Sequence, residues 1–257
     1  MGSVYGPNMV TDSLQVYFDA GNVQSYPGSG NTWFDISGNG NDGTISGATY
    51  NSGDGGHFIF DGVDDTVVVD SPPGLRTYST IGIWFKSTQA SGEDEGGALW
   101  DLAMKGLASY DFIDGFRTYI DVNNDIVTWG LSNDSSVGSY DTGRSDYYAI
   151  ITGSFASDST WHYHVISFNG GTSAIYLDGV LKYNENVWGW EDFDEIVGSA
   201  DDTRVMRIGV ARQYNWFGFH HYRTFDGKIN GVQLYHKALT AAEVLQNYNS
   251  HKSRYGL

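Results

Sequence analysis

The feature that most constrains this chain is a two-residue alternation of apolar and polar side chains in short segments. In IGIWFK at 81–86, Ile81, Ile83 and Phe85 fall on one face, while Trp84 and Lys86 fall on the other. Turns rich in glycine, asparagine and aspartate separate such segments, as at 41–43 and 178–179. Alternation between turns of this composition is typical of half-buried β-strands. The chain is therefore predicted to be all-β.

The same pattern predicts strands at 58–60, 66–70, 116–122, 126–131, 162–168, 174–178, 206–212 and 231–236. In the segment 206–212, Met206, Ile208 and Val210 are expected on one face of a single strand, opposite Arg207. Three stretches lack clean alternation, at roughly 88–97, 133–160 and 184–203, and are predicted to be long loops.

Only one segment has clear helical signals. In LTAAEVLQNYN at 239–249, Thr240 is a predicted N-cap and Glu243 follows three residues later, which is the pattern of a capping box. Leu239 and Val244 occupy the positions of a hydrophobic staple around that cap. The sequence predicts one short helix near the C-terminus.

Length and charge limit the function classes. The chain has 257 residues and a net charge of −17, from 31 acidic and 14 basic residues. Such a charge repels polyanions, so neither nucleic acid nor an anionic membrane is expected as a main partner. No apolar run is long enough to span a membrane, so no membrane insertion is expected. The chain has no cysteine, so disulfides and thiolate metal sites are excluded. Its N-terminus lacks a basic stretch followed by an apolar core, so no signal peptide is predicted. We expect a single domain over 1–257, with 1–10 as an arm or a cloning remnant.

Three blocks, at 8–69, 161–181 and 226–249, resemble laminin-G-like, concanavalin A-like jelly-roll domains. They contain an aspartate-ending first strand with a SGNGNDGT loop, a tryptophan-start strand followed by YLDG, and a final strand with its helix. The resemblance implies a two-sheet antiparallel β-sandwich (a jelly roll) with one short C-terminal helix. The opening block is also similar in style to proteins of tailed bacteriophages, which implies a virion surface or an extracellular location.

The resemblance also implies a structural calcium ion near the first strand, an early glycine-rich loop and the last strand. The matching positions are Asp19, Gly43 and Asp226. Carboxylate and carbonyl oxygens are suitable calcium ligands. The alternative is that the two aspartates only accept hydrogen bonds from turn amides. A further acidic cluster of Asp61, Asp64 and Asp65 is expected to form a strand-start turn, with a second cation site as the alternative.

Two aromatic clusters flank the segment 206–212 and are the candidate ligand-binding feature. Sugars present C–H faces that stack on aromatic rings, and polar side chains bind their hydroxyls. The alternatives are internal packing of the rings or contact with a partner chain. The predicted ligand-binding residues are Trp188, Trp190, Trp216, His220 and Tyr222. Secondary candidates, for a concave sheet face, are Trp84, Trp129, Tyr119 and Arg117.

No catalytic residues are predicted. The acidic segment WGWEDFDEI at 188–196 lacks the in-phase carboxylates that a glycoside hydrolase strand requires. The function predicted is a non-catalytic glycan-binding or adhesion module, as a fibre or capsid-decoration protein. The alternatives are an assembly protein without a sugar ligand and a polysaccharide-cleaving enzyme of the same fold. The expected partner is a cell-surface glycan, with other virion proteins or further copies of the chain as additional partners.

Overall fold

Short strands dominate the structure, a computed structural model that describes residues 8–73, 78–88, 97–104, 115–121, 123, 125–132, 145–152, 159–170, 172–186, 204–214 and 220–257. In chain order the strands begin with β1 (Leu14–Asp19), β2 (Thr32–Trp33), β3 (Gly43–Ser46), β4 (Thr49–Asn51), β5 (His57–Asp61), β6 (Thr66–Asp70), β7 (Tyr78–Ser87), β8 (Gly97–Met104) and β9 (Gly115–Ile120). They continue with β10 (Ile126–Ser132), β11 (Ser145–Ile151), β12 (His162–Asn169), β13 (Thr172–Leu177), β14 (Val180–Asn186), β15 (Arg204–Ile208), β16 (Val210–Tyr214), β17 (His220–Thr224) and β18 (Asp226–Tyr235). The chain ends in helix α1 (Ala241–His251) and a 3₁₀ helix, Lys252–Tyr255.

The strands form two large antiparallel sheets and one hairpin. The first sheet has the order β14-β13-β12-β7-β18-β5-β4, and β1 also pairs with β18. The second sheet has the order β11-β10-β9-β8-β15-β6-β3-β2, while β16 and β17 form a separate two-stranded sheet. The architecture is the expected all-β sandwich with one short C-terminal helix, and the first and last strands pair with each other.

Alternation along the strands builds the core between the two sheets. From β7, Ile81, Ile83 and Phe85 enter this core, as the sequence pattern predicts. From the second sheet, Trp100 and Met206 meet them. The residues that alternate with these core residues along each strand therefore point to the outer faces of the two sheets.

The outer face of the first sheet is covered by the C-terminal helix. The Trp84 ring points to this face and is stacked against Tyr163 and Tyr248, with ring centroids 4.9 and 5.6 Å away. Its exposed fraction is only 1%. The expectation that Trp84 lines an open concave face is therefore wrong, because α1 and the 3₁₀ helix occupy that face.

Helix α1 begins at the predicted capping box. The Thr240 hydroxyl accepts the N–H of Glu243, and the Glu243 carboxylate accepts the N–H of Thr240 at 2.9 Å. Leu239 and Val244 are both buried in the apolar cluster beneath the helix. Of the described residues, no helix is long and apolar enough to cross a membrane.

The segment 206–212 is not one strand, as the sequence predicted, but two. Met206 and Ile208 enter the core from β15, and the strand then stops at Gly209, whose φ is +83°. This left-handed conformation favours glycine, and a Cβ at Gly209 would collide with the Phe60 ring. The chain therefore leaves the second sheet at Gly209 and continues into the β16–β17 hairpin.

Strand β11 lies inside a stretch that the sequence predicted to be a loop. Its described end contains two successive isoleucines, Ile150 with 37% exposure and Ile151 with 6%. Ile150 points outward and Ile151 points inward. Both faces of β11 therefore carry an apolar residue here, and the sequence shows no alternation of apolar and polar residues. The stretch predicted as a loop at 184–203 begins within β14, and its remainder lies outside the described residues.

Candidate functional site

Asp19, the first predicted calcium ligand, is held by an arginine from the end of the chain. Its two carboxylate oxygens lie 2.7 and 2.8 Å from Arg254 Nη1, and Oδ2 accepts the Tyr17 hydroxyl at 3.1 Å. Burial alone would lower the pKa of Arg254, but hydrogen bonding to Asp19 and its charge outweigh burial, and the pKa is raised. The Asp19 carboxylate is thus neutralised by a guanidinium.

The structure does not bring the three predicted calcium ligands together. Asp19 lies opposite Gly231 on β18, whereas Asp226 lies five residues earlier on that strand, opposite Asp61. At ~3.3 Å per residue this separation is roughly 16 Å, but two ligands of one calcium ion lie at most ~5 Å apart. Gly43 is in the other sheet, opposite Val69. These residues therefore do not fit one calcium ion.

Gly43 instead has a packing role that a mutation will test. A Cβ at this position would lie 2.7 Å from Val67 Cγ1 and 3.5 Å from the Phe18 ring. We expect Gly43→Ala to lower the free energy of unfolding by about 1–3 kcal/mol, because overpacking strains a filled core. Urea unfolding should give the same loss in calcium and in chelator, and Thr44→Ala, at the exposed neighbour, should change stability by less than about 0.5 kcal/mol. A loss seen only in calcium would restore the metal role of Gly43.

Asp61, Asp64 and Asp65 form an acidic cluster whose ligand atoms lie within 4.8 Å of one another. The cluster is built as a turn between β5 and β6. Asp65 Oδ2 accepts the N–H of Asp61, and Asp61 Oδ1 accepts the N–H of Val63. Burial raises the pKa of Asp65. These bonds are those of the strand-start turn that the sequence predicted.

The predicted ligand-binding aromatics are only partly described. Trp188, Trp190 and Trp216 lie outside the described residues, as does the acidic segment 188–196. His220 and Tyr222 belong to β17, where they pair with Tyr214 and Arg212 of β16. Trp129 belongs to β10, opposite Arg117 on β9. The backbone thus places His220 and Tyr222 in the hairpin that follows Gly209, although their side chains are not described.

The hairpin is anchored to the second sheet at its base. The Gly209 N–H donates to the carbonyl of Leu99 on β8 at 3.1 Å, and the Phe225 N–H donates to the carbonyl of Gly209 at 2.9 Å. Both β16 and β17 contact β8, and Ala211 of β16 is fully buried. The hairpin is therefore held against one strand of the second sheet.

A row of charged side chains crosses the outer face of the second sheet beside this hairpin. Asp101 on β8 lies opposite Arg117 on β9 and opposite Arg207 on β15. Each residue alternates with core residues of its own strand, so all three point to the outer face. Arg207 Nη1 lies 3.4 Å from Asp101 Oδ2, and the Asp101 side chain is only 2% exposed. The row is a recessed ionic network with more arginine than aspartate.

An aromatic ring lies next to this row and is covered by a hairpin arginine. Tyr119 is two residues along β9 from Arg117, and Arg223 of β17 places its Cζ 4.2 Å from the centre of the Tyr119 ring. Arg117, Tyr119 and Arg223 are each half-buried. We call the outer surface formed by Asp101, Arg117, Tyr119, Arg207 and Arg223 the arginine face. It combines an aromatic ring, one face of which is covered by Arg223, with guanidinium groups that donate hydrogen bonds.

Sequence reasoning identified only part of the arginine face. Arg117 and Tyr119 were secondary candidates for a concave face, and they do lie together on an outer sheet face. Asp101, Arg207 and Arg223 were missed as site residues. The one local sequence pattern that marks any of them is the outward position of Arg207 between the core residues Met206 and Ile208. Asp101 and Arg207 come together with Arg117 only because β8 pairs with both β9 and β15.

The chain belongs to a known family. Residues 61–245 match the model of the concanavalin A-like lectin/glucanases superfamily, in its laminin G form. This match covers more than half of the chain and agrees with the observed sandwich. A search of curated proteins finds no significant relative.

Solved structures with the same fold include binding domains of botulinum neurotoxins. One, from a study of type C entry dependent upon two ganglioside molecules, has a TM-score of 0.64 and 16% identity over 93% of this chain and 52% of that chain. A serotype D ligand-binding domain in complex with N-acetylneuraminic acid has a TM-score of 0.62 and 13% identity, over 93% and 51%. A type DC binding domain in complex with rat synaptotagmin II has a TM-score of 0.62 and 16% identity, over 94% and 52%. The chain spans about half the length of these proteins, and identities this low establish the fold alone.

Proposed function

We propose that this chain is a non-catalytic glycan-binding module and that its ligand binds at the arginine face. The observation that carries the proposal is the placement of Arg223 over the Tyr119 ring, beside the Arg117–Asp101–Arg207 row. A sugar has apolar C–H faces and a rim of hydroxyls. A ring flanked by donors and a buried acceptor matches both parts of such a ligand.

Two further points support this proposal. The family model is named for lectins as well as glucanases. The neurotoxin domains of the same fold include one from a study of cell entry that depends on two ganglioside molecules and one in complex with N-acetylneuraminic acid. The hairpin strand that carries Arg223 also contains His220 and Tyr222, which the sequence predicted as ligand-binding residues. Trp188, Trp190 and Trp216 remain predicted contributors to the same site.

The first experiment is binding of the full chain to a broad panel of glycans and bacterial polysaccharides, in calcium and then in chelator. We expect binding without release of shorter sugars, since the proposed module is not an enzyme. Calcium remains a predicted cofactor, and loss of binding in chelator would support it. Release of shorter sugars would contradict the non-catalytic proposal and favour the polysaccharide-cleaving alternative.

The site itself is tested by Tyr119→Ala. Loss of a stacking ring removes about 0.5–1.5 kcal/mol, so the dissociation constant for a panel ligand should rise roughly 2- to 10-fold. The matched control is Tyr78→Ala, which removes a tyrosine with 54% exposure from the first sheet. Titration calorimetry measures the dissociation constants of both variants. Equal losses in the two variants, or no loss in Tyr119→Ala, would contradict binding at the arginine face.

The second candidate function is assembly with further copies of the chain or with virion proteins. It is favoured by an exposed apolar patch of Val180, Leu181 and Leu245, where the edge strand β14 meets α1. A chain that binds no glycan on the panel would make assembly the first candidate. Placement on a virion surface or in an extracellular assembly is part of either proposal.

A further inference from the structure

The arginine face continues as one row of side chains to the far edge of the second sheet. The neighbouring strands β9, β8, β15, β6, β3 and β2 each contribute one residue to this row, in register with the next. In that order the residues, which we call the cross-strand row, are Arg117, Asp101, Arg207, Val68, Thr44 and Thr32. Adjacent strands lie ~4.8 Å apart, so the row runs across the strands for roughly 24 Å.

The half of the row beyond the arginine face lies on an open surface. On β2, β3 and β6, the residue beside each row member belongs to the core; these are Trp33, Ile45 and Val67. Successive side chains of a strand point to opposite faces, so Thr32, Thr44 and Val68 point outward. Thr44 is exposed, and Thr32 and Val68 are half-buried. This half is therefore a shallow surface, on which a ligand can extend past the arginine face.

The side chains of this half suit a saccharide. The hydroxyls of Thr32, Thr44 and Ser46 have no hydrogen-bond partner within the part of the chain that the structure describes. Ser46 is two residues along β3 from Thr44 and lies on the same face. A hydroxyl can both donate and accept hydrogen bonds, as the hydroxyls of a sugar do. Val68, between Thr44 and Arg207, offers an apolar contact to the C–H face of a sugar.

Arg207 links this half of the row to the arginine face. Its Nη1 lies 3.4 Å from Asp101 Oδ2, and the two side chains are 18% and 2% exposed. A guanidinium has five N–H donors, so contact with one carboxylate oxygen does not use all of them. The ion pair is recessed, so a ligand can pass over it and accept hydrogen bonds from Arg207.

We propose that the glycan is a linear saccharide chain that lies along the cross-strand row and is bound through several successive sugar units rather than through its terminal unit. This inference rests on the proposed glycan-binding function and names the class of glycan. The row is several times longer than one sugar ring, so a single unit at the arginine face leaves Val68, Thr44 and Thr32 without a ligand contact. Hydrogen bonds and apolar contacts carry this recognition, and it requires no unpaired charge in the row.

The test measures how affinity depends on the length of the saccharide. The probes are two-unit, four-unit and six-unit oligosaccharides of cellulose, β-1,3-glucan, chitin and starch. Length-sorted hydrolysates of each bacterial polysaccharide that binds on the broad panel complete the series. We expect the full chain to bind the six-unit member of at least one series more than about tenfold more tightly than the two-unit member, because the added units contact the rest of the row.

The tenfold limit separates an extended site from a small one. A six-unit chain offers a two-unit site only five positions, so this statistical gain is about fivefold at most. A gain of tenfold or less in every series would overturn this inference and leave the glycan-binding function intact. Binding to no saccharide here or on the broad panel would overturn both.

Variants place the saccharide on the row. Thr32→Ala and Thr44→Ala, combined in one protein, should weaken binding of the six-unit probe about tenfold and of the two-unit probe less than about threefold, because two hydrogen-bonding groups are lost. Thr49→Ala, which removes an exposed threonine from β4 of the first sheet, should change neither affinity. Equal loss for both probes, or no loss in the folded double variant, would overturn the placement.

Hydrogen exchange of the unaltered chain makes the same test without a variant. The six-unit probe should slow exchange in β3, at 43–46, and the two-unit probe should not. Thermal unfolding shows whether the double variant folds, and if it does not, the exchange comparison decides the placement. Exchange in β3 that is the same with both probes would overturn it.

Discussion

Replacing Arg254 with glutamine should lower the free energy of unfolding by about 3–5 kcal/mol, because it leaves the charge of Asp19 buried without its partner. The Asp19 side chain is 2% exposed, and Arg254 Nη1 donates to both of its oxygens. These bonds join the C-terminal 3₁₀ helix to the end of β1. Urea unfolding at neutral pH measures the loss directly.

The matched control for this prediction is Lys252→Gln, in the same 3₁₀ helix. Lys252 places its ammonium 5.3 Å from the centre of the Tyr248 ring, a contact worth less than about 1 kcal/mol at a surface. A variant at Arg254 that is as stable as the control would contradict the buried ion pair. It would also reopen the assignment of Asp19 to a metal ion.

The second large effect is a loss of stability in mild acid. Burial lowers the pKa of His164 from 6.5 to about 3, and it also lowers the pKa of His57 and His251. The unfolded chain therefore takes up protons near pH 6.5, while the folded chain does not. Stability is complete above this pH and declines as the pH falls toward 3. The slope is ~1.4 kcal/mol per pH unit for each such histidine, so His164 alone accounts for roughly 2 kcal/mol between pH 6.5 and 5.

His164→Leu separates this contribution from the others. His164 lies in β12 opposite Ile83 and Leu177, and neither of its ring nitrogens has a hydrogen-bond partner among the described residues. Leucine should raise stability at neutral pH by about 1–3 kcal/mol, since it removes an unsatisfied buried polar group. The pH slope of the unfolding free energy between 6.5 and 5 should fall by about one proton. A variant with the wild-type slope would show that His164 is protonated in the folded state.

Local patterns in the sequence were enough to predict an all-β chain with one C-terminal helix, and the family resemblance implied the two-sheet sandwich. Alternation placed Ile81, Ile83 and Phe85 in the core, and the Thr240–Glu243 capping box located the start of α1. Both signals act over a few residues, so they do not depend on the rest of the fold. The break at Gly209 was missed, because glycine fits a regular strand as well as a turn with positive φ.

The candidate site depended on long-range pairing that no local pattern encodes. Asp19 and its partner Arg254 are 235 positions apart in the chain, so no local pattern indicated this ion pair, and the resemblance implied a metal ligand at Asp19 instead. Arg207 and Asp101 are 106 positions apart and meet only because β15 pairs with β8. Trp84 was placed on the correct outward phase, but the helix that covers it comes from the other end of the chain.

Hydrogen–deuterium exchange of the full chain, with and without the tightest saccharide of the panel, tests the central claim most directly. Binding at the arginine face predicts slower exchange in peptides from β9, at 115–120, and from β17, at 220–224. Peptides from α1, at 241–251, should exchange at the same rate with and without the saccharide. Protection confined to the first sheet and its helix would place the ligand elsewhere and contradict the account.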